Sequence, residues 1–154
     1  MPASPKPDAA RRDLSEFLCF AVYSANLAFG RAYKPLLDKL ELTYTQYITL
    51  VALADSDEQT VSALGEKLFL ESNTLTPILK KLESLGYLQR RRDPADERQV
   101  RLSLLPPGRA LVEEDPGAAL FEATGLGADF MKVQQEIVTL RDNLLRHTKG
   151  TGQA

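Results

Sequence analysis

Apolar positions in the middle of the chain recur at the spacing of an amphipathic helix. Between residues 72 and 85 they fall three or four positions apart, which places them on one helical face; they are Leu75, Ile78, Leu79, Leu82 and Leu85. A shorter helical pattern and a tight turn precede this segment, and two segments with alternating polarity follow it. The order of helix, turn, helix and strand pair over residues 60–104 predicts a winged helix-turn-helix.

The opposite face of this second helix is polar. Short hydrogen-bonding side chains near the helix start, with a cation behind them, are what a helix needs to reach base edges and phosphates in the major groove of DNA. The residues of this helix that we predict to contact DNA are Asn73, Thr74, Thr76, Pro77 and Lys80.

The strand pair is joined by a charged turn from Asp93 to Glu97. We expect Arg91, Asp96 and Arg98 to contact DNA, with Asp96 and Arg98 paired at the tip so that the arginine is held extended. Such an arginine suits a narrow minor groove, where the negative potential is strongest. An isolated hairpin of this kind is more often a solvated loop, but its place directly after a recognition helix favours DNA binding.

The segment before this region carries an unusually wide apolar stripe between Leu14 and Phe29. One domain's core does not require so wide a stripe, which indicates packing against a second subunit. We therefore predict a mainly α fold with a small β-wing (α+β), in which N- and C-terminal helices form a homodimer. A symmetric dimer reads a palindromic operator in double-stranded DNA.

The whole chain is predicted to be one domain. Its four parts are a disordered arm, an N-terminal dimerisation segment, a winged helix-turn-helix lobe and a C-terminal dimerisation segment, at residues 1–12, 13–42, 43–105 and 106–148.

Prolines and capping residues predict where the N-terminal helices begin and end. A helix is expected from Asp13, with Pro35 ending or kinking it and a short helix then reaching Leu40. Thr43 is predicted to cap the next helix, from Thr45 to Ala54.

Beyond the strand pair, the pattern again indicates helices. We predict a helix from Arg109 to about Phe121 that Pro116 and Gly117 bend or interrupt. A loop over residues 123–127 then leads to a final helix from Asp129 to His147.

Charge is distributed unevenly along the 154 residues, whose net charge is −2. Residues 60–105 contain eight Lys or Arg against six Asp or Glu, and the remainder contains eleven against fifteen. This balance permits a nucleic-acid partner for the middle region. No apolar run approaches the roughly 18 residues of a membrane span, and the N-terminus lacks a signal core, so we expect a cytoplasmic protein with no membrane partner.

Five stretches of the sequence carry a resemblance to a known family. The run DPADERQVRLSLLPPGRAL, after KKLESLGYLQRR, resembles the MarR family of dimeric winged-helix transcription factors. The stretches LCFAVYS, LTYTQYITL and NTLTPILKKLE are similar to its organic-hydroperoxide-sensing repressors, known as OhrR. The resemblance is strong over Asp13 to Leu111, whereas the C-terminal helices match by arrangement alone.

The only cysteine, Cys19, lies in the first predicted helix. A thiolate in apolar surroundings needs hydrogen-bond donors, which tyrosine hydroxyls supply. Tyr23 is one turn further on the same face, whereas Tyr33 is fourteen residues away, about 21 Å along a continuous helix, and reaches its own Cys19 only through a sharp bend. The resemblance implies that Cys19 senses organic hydroperoxide and that Tyr33 and Tyr44 reach it from the partner subunit.

The same resemblance implies that oxidation of Cys19 releases DNA. Many members of the subgroup carry a second cysteine that closes a disulfide, but the comparable stretch here, FEATGLGADF, has none. Oxidised Cys19 would then need a small-molecule thiol, a sulfenamide or overoxidation. No cofactor is expected.

Three alternatives remain open from the sequence. A lone helical cysteine is most often an inert core residue. A related repressor would instead bind a phenolic or lipophilic small molecule, with Cys19 structural. A thiol peroxidase is disfavoured because no resolving cysteine exists and the nearest arginines in sequence, among them Arg12 and Arg31, are at least seven residues from Cys19. We therefore expect no enzyme, no catalytic residues and no metal site.

Overall fold

The computed structural model describes residues 13–152. The predicted disordered arm, residues 1–12, lies outside the described residues. Of the described residues, 13–116 form one compact unit and 117–152 form a second. The predicted division of the chain into one domain with dimerisation and DNA-binding parts stays a prediction.

The first unit contains five α-helices and a three-stranded antiparallel sheet within its described residues. The helices and strands, in chain order, are α1 (Leu18–Asp38), α2 (Tyr44–Ala54), β1 (Gln59–Thr60), α3 (Val61–Leu68), α4 (Ser72–Ser84), β2 (Leu88–Arg92), β3 (Val100–Leu104) and α5 (Pro106–Glu114). The strand order is β1-β3-β2. The predicted fold class, a mainly α winged helix-turn-helix with a small sheet, is confirmed.

The core of this unit lies where α2, α3, α4 and the sheet meet. Three leucines of the predicted apolar face of α4 are buried, and its other two apolar residues, Ile78 and Leu85, pack partly buried against the core. Each fully buried leucine stabilises the fold by about 2 kcal/mol. The side chains with less than 2% exposure include Leu50, Leu53, Leu64, Leu75, Leu79, Leu82, Leu88 and Leu102.

The first helix differs from the prediction at both ends. Asp13 caps a single 3₁₀ turn, and the extended backbone of Phe17 separates that turn from α1, which begins at Leu18. Pro35 lies inside α1, so the predicted break and second short helix are wrong. A proline removes one backbone hydrogen bond, but its fixed φ is close to the helical value, and the helix ends three residues later at Asp38.

The predicted cap of the next helix is confirmed. The Thr43 hydroxyl accepts a hydrogen bond from the Gln46 backbone N–H at 3.2 Å, and the Gln46 side chain accepts one from the Thr43 N–H at 2.9 Å. This reciprocal capping box satisfies two N–H groups at the helix start. The helix begins at Tyr44, one residue before the predicted start.

The predicted interruption near Pro116 is also confirmed, because α5 ends at Glu114 and Asp115 adopts a left-handed conformation with φ of 42°. The second unit contains the short helix α6 (Ala119–Ala123), a 3₁₀ turn and α7 (Phe130–Thr151). The last helix therefore extends four residues beyond His147, the predicted end.

Candidate nucleic-acid interface and cysteine site

The polar face of α4 is accessible to a partner. Asn73, Thr74, Pro77 and Lys80 are exposed, as predicted for residues that contact DNA. Thr76 is half-buried, and its hydroxyl donates to the Ser72 carbonyl at 2.8 Å. The Thr76 hydroxyl is therefore already bonded to the backbone of its own helix. The four exposed residues form most of the candidate DNA-binding surface.

The turn between α3 and α4 fixes how α4 is presented. The Leu70 N–H donates to the Gly65 carbonyl at 2.9 Å, and a Cβ on Gly65 would lie 2.8 Å from the Leu70 carbonyl oxygen. Only glycine allows the two backbones to approach this closely. Phe69, between them, adopts the left-handed conformation with φ of 57°, so the turn is tight and its geometry is closely constrained.

The hairpin joining β2 and β3 carries the predicted wing residues at exposed positions. Arg91 lies opposite Arg101 in the strand register, and Arg98 is exposed beyond the end of β2. The Asp96 carboxylate accepts a hydrogen bond from the backbone N–H of Arg98 at 3.1 Å. The predicted contact between Asp96 and Arg98 thus occurs through the Arg98 backbone, which fixes the chain direction at the tip because a short side chain closes the turn locally.

A different ion pair stabilises the base of the wing. Asp93 is buried, and its carboxylate accepts from the Arg101 Nε–H at 2.7 Å and from the Ala95 N–H at 2.9 Å. The backbone hydrogen bond from Ala95 and the guanidinium of Arg101 lower the pKa of Asp93. Sequence reasoning missed this pair because it placed Asp93 in a solvated turn; the available signal was an Asp-Pro turn start eight residues before an arginine on the return strand.

A second ion pair joins the wing to the recognition helix. The Arg90 Nε–H donates to the Glu83 carboxylate at 2.7 Å, and both side chains are about one-third exposed. Glu83 lies in the last turn of α4 and Arg90 in the middle of β2. This contact joins β2 to α4, so the wing and the helix face a partner in a fixed relative orientation.

Cys19 lies in the first turn of α1 and is exposed. Tyr23, one turn further on, is 59% exposed and its ring centroid lies 6.3 Å from that of Phe20. Among residues 13–152 of one chain, the structure records no hydroxyl bonded to the Cys19 sulfur. Because α1 is unbroken, Tyr33 of the same chain is about 21 Å further along the axis.

Three tyrosines cluster at the far end of α1. The Tyr33 ring centroid lies 5.0 Å from that of Tyr44 and 5.9 Å from that of Tyr47. Burial, with smaller contributions from Tyr44 and Asp115, raises the pKa of Tyr33. The two predicted donors, Tyr33 and Tyr44, therefore lie together, away from the Cys19 of their own chain.

Sequence reasoning did not identify Tyr47, which connects this cluster to the end of α5. Burial, followed by the negative charge of the Asp115 carboxylate, raises the pKa of Tyr47 to about 12. Asp115 lies sixty-eight residues further along the chain, a separation over which sequence patterns carry no signal.

Much of α1 presents apolar side chains to solvent in the single chain, and Leu37 is its only buried residue. This exposed set surrounds Cys19 and extends toward the tyrosine cluster. Its large members are Leu18, Phe20, Val22, Tyr23, Leu27 and Phe29.

Comparison with known proteins places this architecture in a family. The model of the transcriptional regulators SarA/Rot matches residues 31–114. The organic hydroperoxide resistance transcriptional regulator of Bacillus subtilis is 40% identical over 134 residues, which are 85% of this chain and 91% of that protein. The chain belongs to the MarR family of transcriptional regulators. It lies in the organic hydroperoxide resistance regulator subgroup.

Other relatives of this MarR-family chain agree with that placement. The transcriptional regulator TtmR of Methylorubrum extorquens is 51% identical over 100 residues, covering 65% of this chain but about half, 51%, of that protein. AbfR of Staphylococcus epidermidis has been solved in reduced and overoxidized forms bound to DNA and in a disulfide form. The reduced AbfR complex is 34% identical, with a TM-score of 0.67, and the match covers 86% of this chain and 95% of AbfR.

Neither a metal site nor a membrane span is recorded in the described part of the MarR-family chain. Residues 13–152 contain no group of three or more His, Cys, Asp or Glu placed to hold a metal ion. None of the helices in that range combines the length and the hydropathy that a membrane crossing requires.

Proposed function

We propose that this chain is a homodimeric repressor that releases its operator when an organic hydroperoxide oxidises Cys19. In this proposal Tyr23 of the same chain, with Tyr33 and Tyr44 of the partner, donates hydrogen bonds to the thiolate. The protein acts in the cytoplasm, on a palindromic site in double-stranded DNA. The residues that contact DNA are Asn73, Thr74, Thr76, Pro77, Lys80, Arg91, Asp96 and Arg98.

The observation that carries the proposal is the separation of the thiol from the phenols along one continuous helix. Cys19 lies at the start of α1, whereas Tyr33 lies near its end and packs on Tyr44. A second copy whose α1 runs antiparallel to the first brings the partner's tyrosines to each Cys19. The exposed apolar side chains between the two positions give such a dimer a surface to bury.

The geometry of the winged helix-turn-helix supports the DNA partner. The accessible polar face of α4 is fixed by the tight turn at Gly65 and by the ion pair of Glu83 with Arg90. Arg98 adds an exposed positive charge in the turn of the hairpin. The complexes of AbfR with DNA show that a relative 34% identical to this chain binds DNA.

The redox step is a two-electron oxidation of sulfur. The Cys19 thiolate attacks the terminal oxygen of the hydroperoxide, the S–O bond forms, and the O–O bond breaks. The leaving alkoxide takes a proton from solvent and departs as the alcohol, while Cys19 becomes a sulfenic acid. Loss of the thiolate removes the acceptor that the tyrosine hydroxyls shared, which biases the dimer toward a geometry that no longer fits adjacent major grooves.

The fate of the sulfenic acid follows from the cysteine content. Cys19 is the only cysteine in the sequence, so the dimer lacks a second type of cysteine to close a disulfide with it. The sulfenic acid condenses with a small-molecule thiol or a backbone nitrogen, releasing water, and either product is reducible by thiols; further peroxide instead oxidises it irreversibly to sulfinic and sulfonic acids.

The proposal is tested by measuring mass and DNA binding on the same sample. The protein first selects a duplex from a random-sequence pool, and its intact mass and the mobility of that duplex are then measured before and after one equivalent of cumene hydroperoxide. We expect added oxygen or a thiol adduct on Cys19 together with release of the duplex. Oxidation of Cys19 without release, or release without a mass change, would contradict the proposal.

A cavity beside Tyr44 favours a second candidate, a repressor released by a phenolic or lipophilic ligand with Cys19 structural. The cavity has a volume of about 420 Å³, which is within the range of small-molecule sites. Release by such a ligand with the Cys19 mass unchanged distinguishes this candidate from the redox switch. The lining residues are Asn26, Leu27, Phe29, Gly30, Arg31, Lys34 and Tyr44.

A further inference from the structure

The base of the wing is organised around one buried carboxylate. Asp93 is 7% exposed, and among the described residues it is the only charged one in the buried class. One carboxylate oxygen accepts from the Ala95 N–H at 2.9 Å and the other from the Arg101 Nε–H at 2.7 Å. The Asp93 backbone N–H donates to the Gln99 carbonyl at 2.9 Å. Asp93 therefore contacts both the outgoing and the returning side of the hairpin.

The second partner of this carboxylate extends the network to the first helix of the helix-turn-helix. Arg101 lies on β3 opposite Thr60 of β1, and the Thr60 hydroxyl caps α3 by accepting from the Ala63 N–H at 3.1 Å. The Arg101 guanidinium also donates to the Glu58 carbonyl at 3.0 Å. One side chain thus bonds the wing base to the segment that begins α3.

The exposed tip of the wing is closed by two further hydrogen bonds. The Gln99 N–H donates to the Asp96 carbonyl at 2.9 Å, and the Asp96 carboxylate accepts from the Arg98 N–H at 3.1 Å. Arg98 is therefore held in a short loop whose two ends meet at Asp93. The orientation of its side chain depends on that closure, since a loop without fixed ends samples many backbone conformations.

We propose that Asp93 and Arg101 are positioning residues for DNA binding, which order the wing before DNA arrives and present Arg98 in a fixed direction relative to α3 and α4. This inference rests on the proposed function. Asp93 itself does not bind DNA in this scheme, because its carboxylate is buried and would repel a negatively charged phosphate. A wing ordered in the free protein loses less conformational entropy when it binds DNA.

Two carboxylates of the hairpin provide a matched pair of variants. Asp93→Asn and Glu97→Gln each remove one negative charge from the wing, but Glu97 is exposed and lies outside the network. We expect Asp93→Asn to weaken binding of the full-length protein to its selected duplex about fivefold, the cost of ordering one or two side chains. Glu97→Gln should leave binding unchanged or strengthen it, because repulsion of phosphates decreases.

A double-mutant cycle with Arg98→Ala separates positioning from general stability. If Asp93 acts by presenting Arg98, then Asp93→Asn causes no further loss of affinity in the Arg98→Ala protein. Equal losses in both backgrounds, or no loss in the wild-type background, would overturn the inference. Failure of the wild-type protein to select any duplex overturns the proposed function instead.

Hydrogen exchange of the free protein supplies a measurement that does not depend on DNA. The amides of Ala95 and Gln99 should exchange several-fold faster in Asp93→Asn than in Glu97→Gln, while amides in the core helices α2 and α4 exchange equally in both. Unchanged exchange at both wing amides would overturn the inference even where DNA binding is weakened. Faster exchange throughout the core in Asp93→Asn would also overturn it, since the residue would then stabilise the whole lobe.

Discussion

Cys19 and Tyr33 lie on one unbroken helix, and the fourteen residues between them place them about 21 Å apart along its axis. Pro35 leaves the helix continuous, so the chain cannot fold back to bring the Tyr33 hydroxyl to its own thiol. Tyr33 instead packs on Tyr44, which belongs to a different helix. In the proposed switch, each sensing site is therefore complete only when two copies associate.

Replacing the thiol tests the sensing role directly. Cys19→Ser should bind the selected duplex with wild-type affinity, because the small serine hydroxyl still accepts hydrogen bonds from the tyrosines and Cys19 lies on α1, outside the predicted DNA surface. Cumene hydroperoxide should no longer release the duplex, since a hydroxyl is not oxidised under these conditions. The measurement is a mobility-shift titration, with the oxidant-treated wild-type protein as the control. Release that persists in Cys19→Ser would rule out the sensing role.

Mixing two variants tests whether the site is shared between subunits. Tyr33→Phe homodimers should react slowly with hydroperoxide because each thiolate lacks one donor. In a heterodimer with Cys19→Ser, the chain that keeps its thiol receives Tyr33 from its partner, and one complete site is restored. Intact-mass kinetics should show oxidation in the mixture faster than in Tyr33→Phe alone.

The outcome of that mixing experiment has a clear control. Tyr87→Phe removes the same hydroxyl from a tyrosine outside the cluster and should leave the oxidation rate unchanged. If the mixture reacts no faster than Tyr33→Phe homodimers, the phenol does not come from the partner.

The arginine at the wing tip should contribute to DNA affinity through charge. Arg98→Ala is expected to weaken binding by about 1–3 kcal/mol and to reduce the salt dependence by about one unit of slope. Arg146→Ala, on α7, removes the same charge from a residue that is not predicted to contact DNA and serves as the control. Binding isotherms at several salt concentrations measure both quantities, and identical slopes for the two variants would argue against a phosphate contact by Arg98.

The burial of Tyr47 beside Asp115 predicts how stability depends on alkaline pH. The pKa of Tyr47 is raised from 10.0 to about 12 in the folded protein. Above pH 10 the unfolded chain loses this proton while the folded chain retains it, so the contribution is complete below pH 10 and is lost as pH rises toward 12. Urea unfolding at pH 8, 10 and 11 should show a steeper decline for wild type than for Tyr47→Phe. Equal declines would show that Tyr47 is not the group responsible.

The local sequence pattern correctly predicted the features that depend on residues close to one another in the chain. The buried face of α4 follows from apolar spacing, and the cap at Thr43 follows from a side chain that bonds a backbone group three residues away. The interruption near Pro116 follows in the same way from a residue that lacks a backbone donor. Each of these interactions spans no more than a few residues, so the amino acids themselves determine it.

The tertiary structure decided the features that depend on contacts between distant segments. Pattern alone expected Pro35 to end or kink α1 before a second short helix, but α1 continues through Pro35 to Asp38. It also expected the Asp96 carboxylate to pair with the Arg98 side chain, whereas that carboxylate bonds the Arg98 backbone N–H. The pairing of Asp93 with Arg101 across the hairpin arises because strand register brings the two side chains together. Tyr47 meets Asp115 because α2 and α5 pack in one unit. The sequence by itself determined the order of the winged helix-turn-helix and which faces of its helices are apolar. The packing of those segments decided where α1 begins and ends and which charged and phenolic groups meet, because that depends on distances that no local spacing encodes.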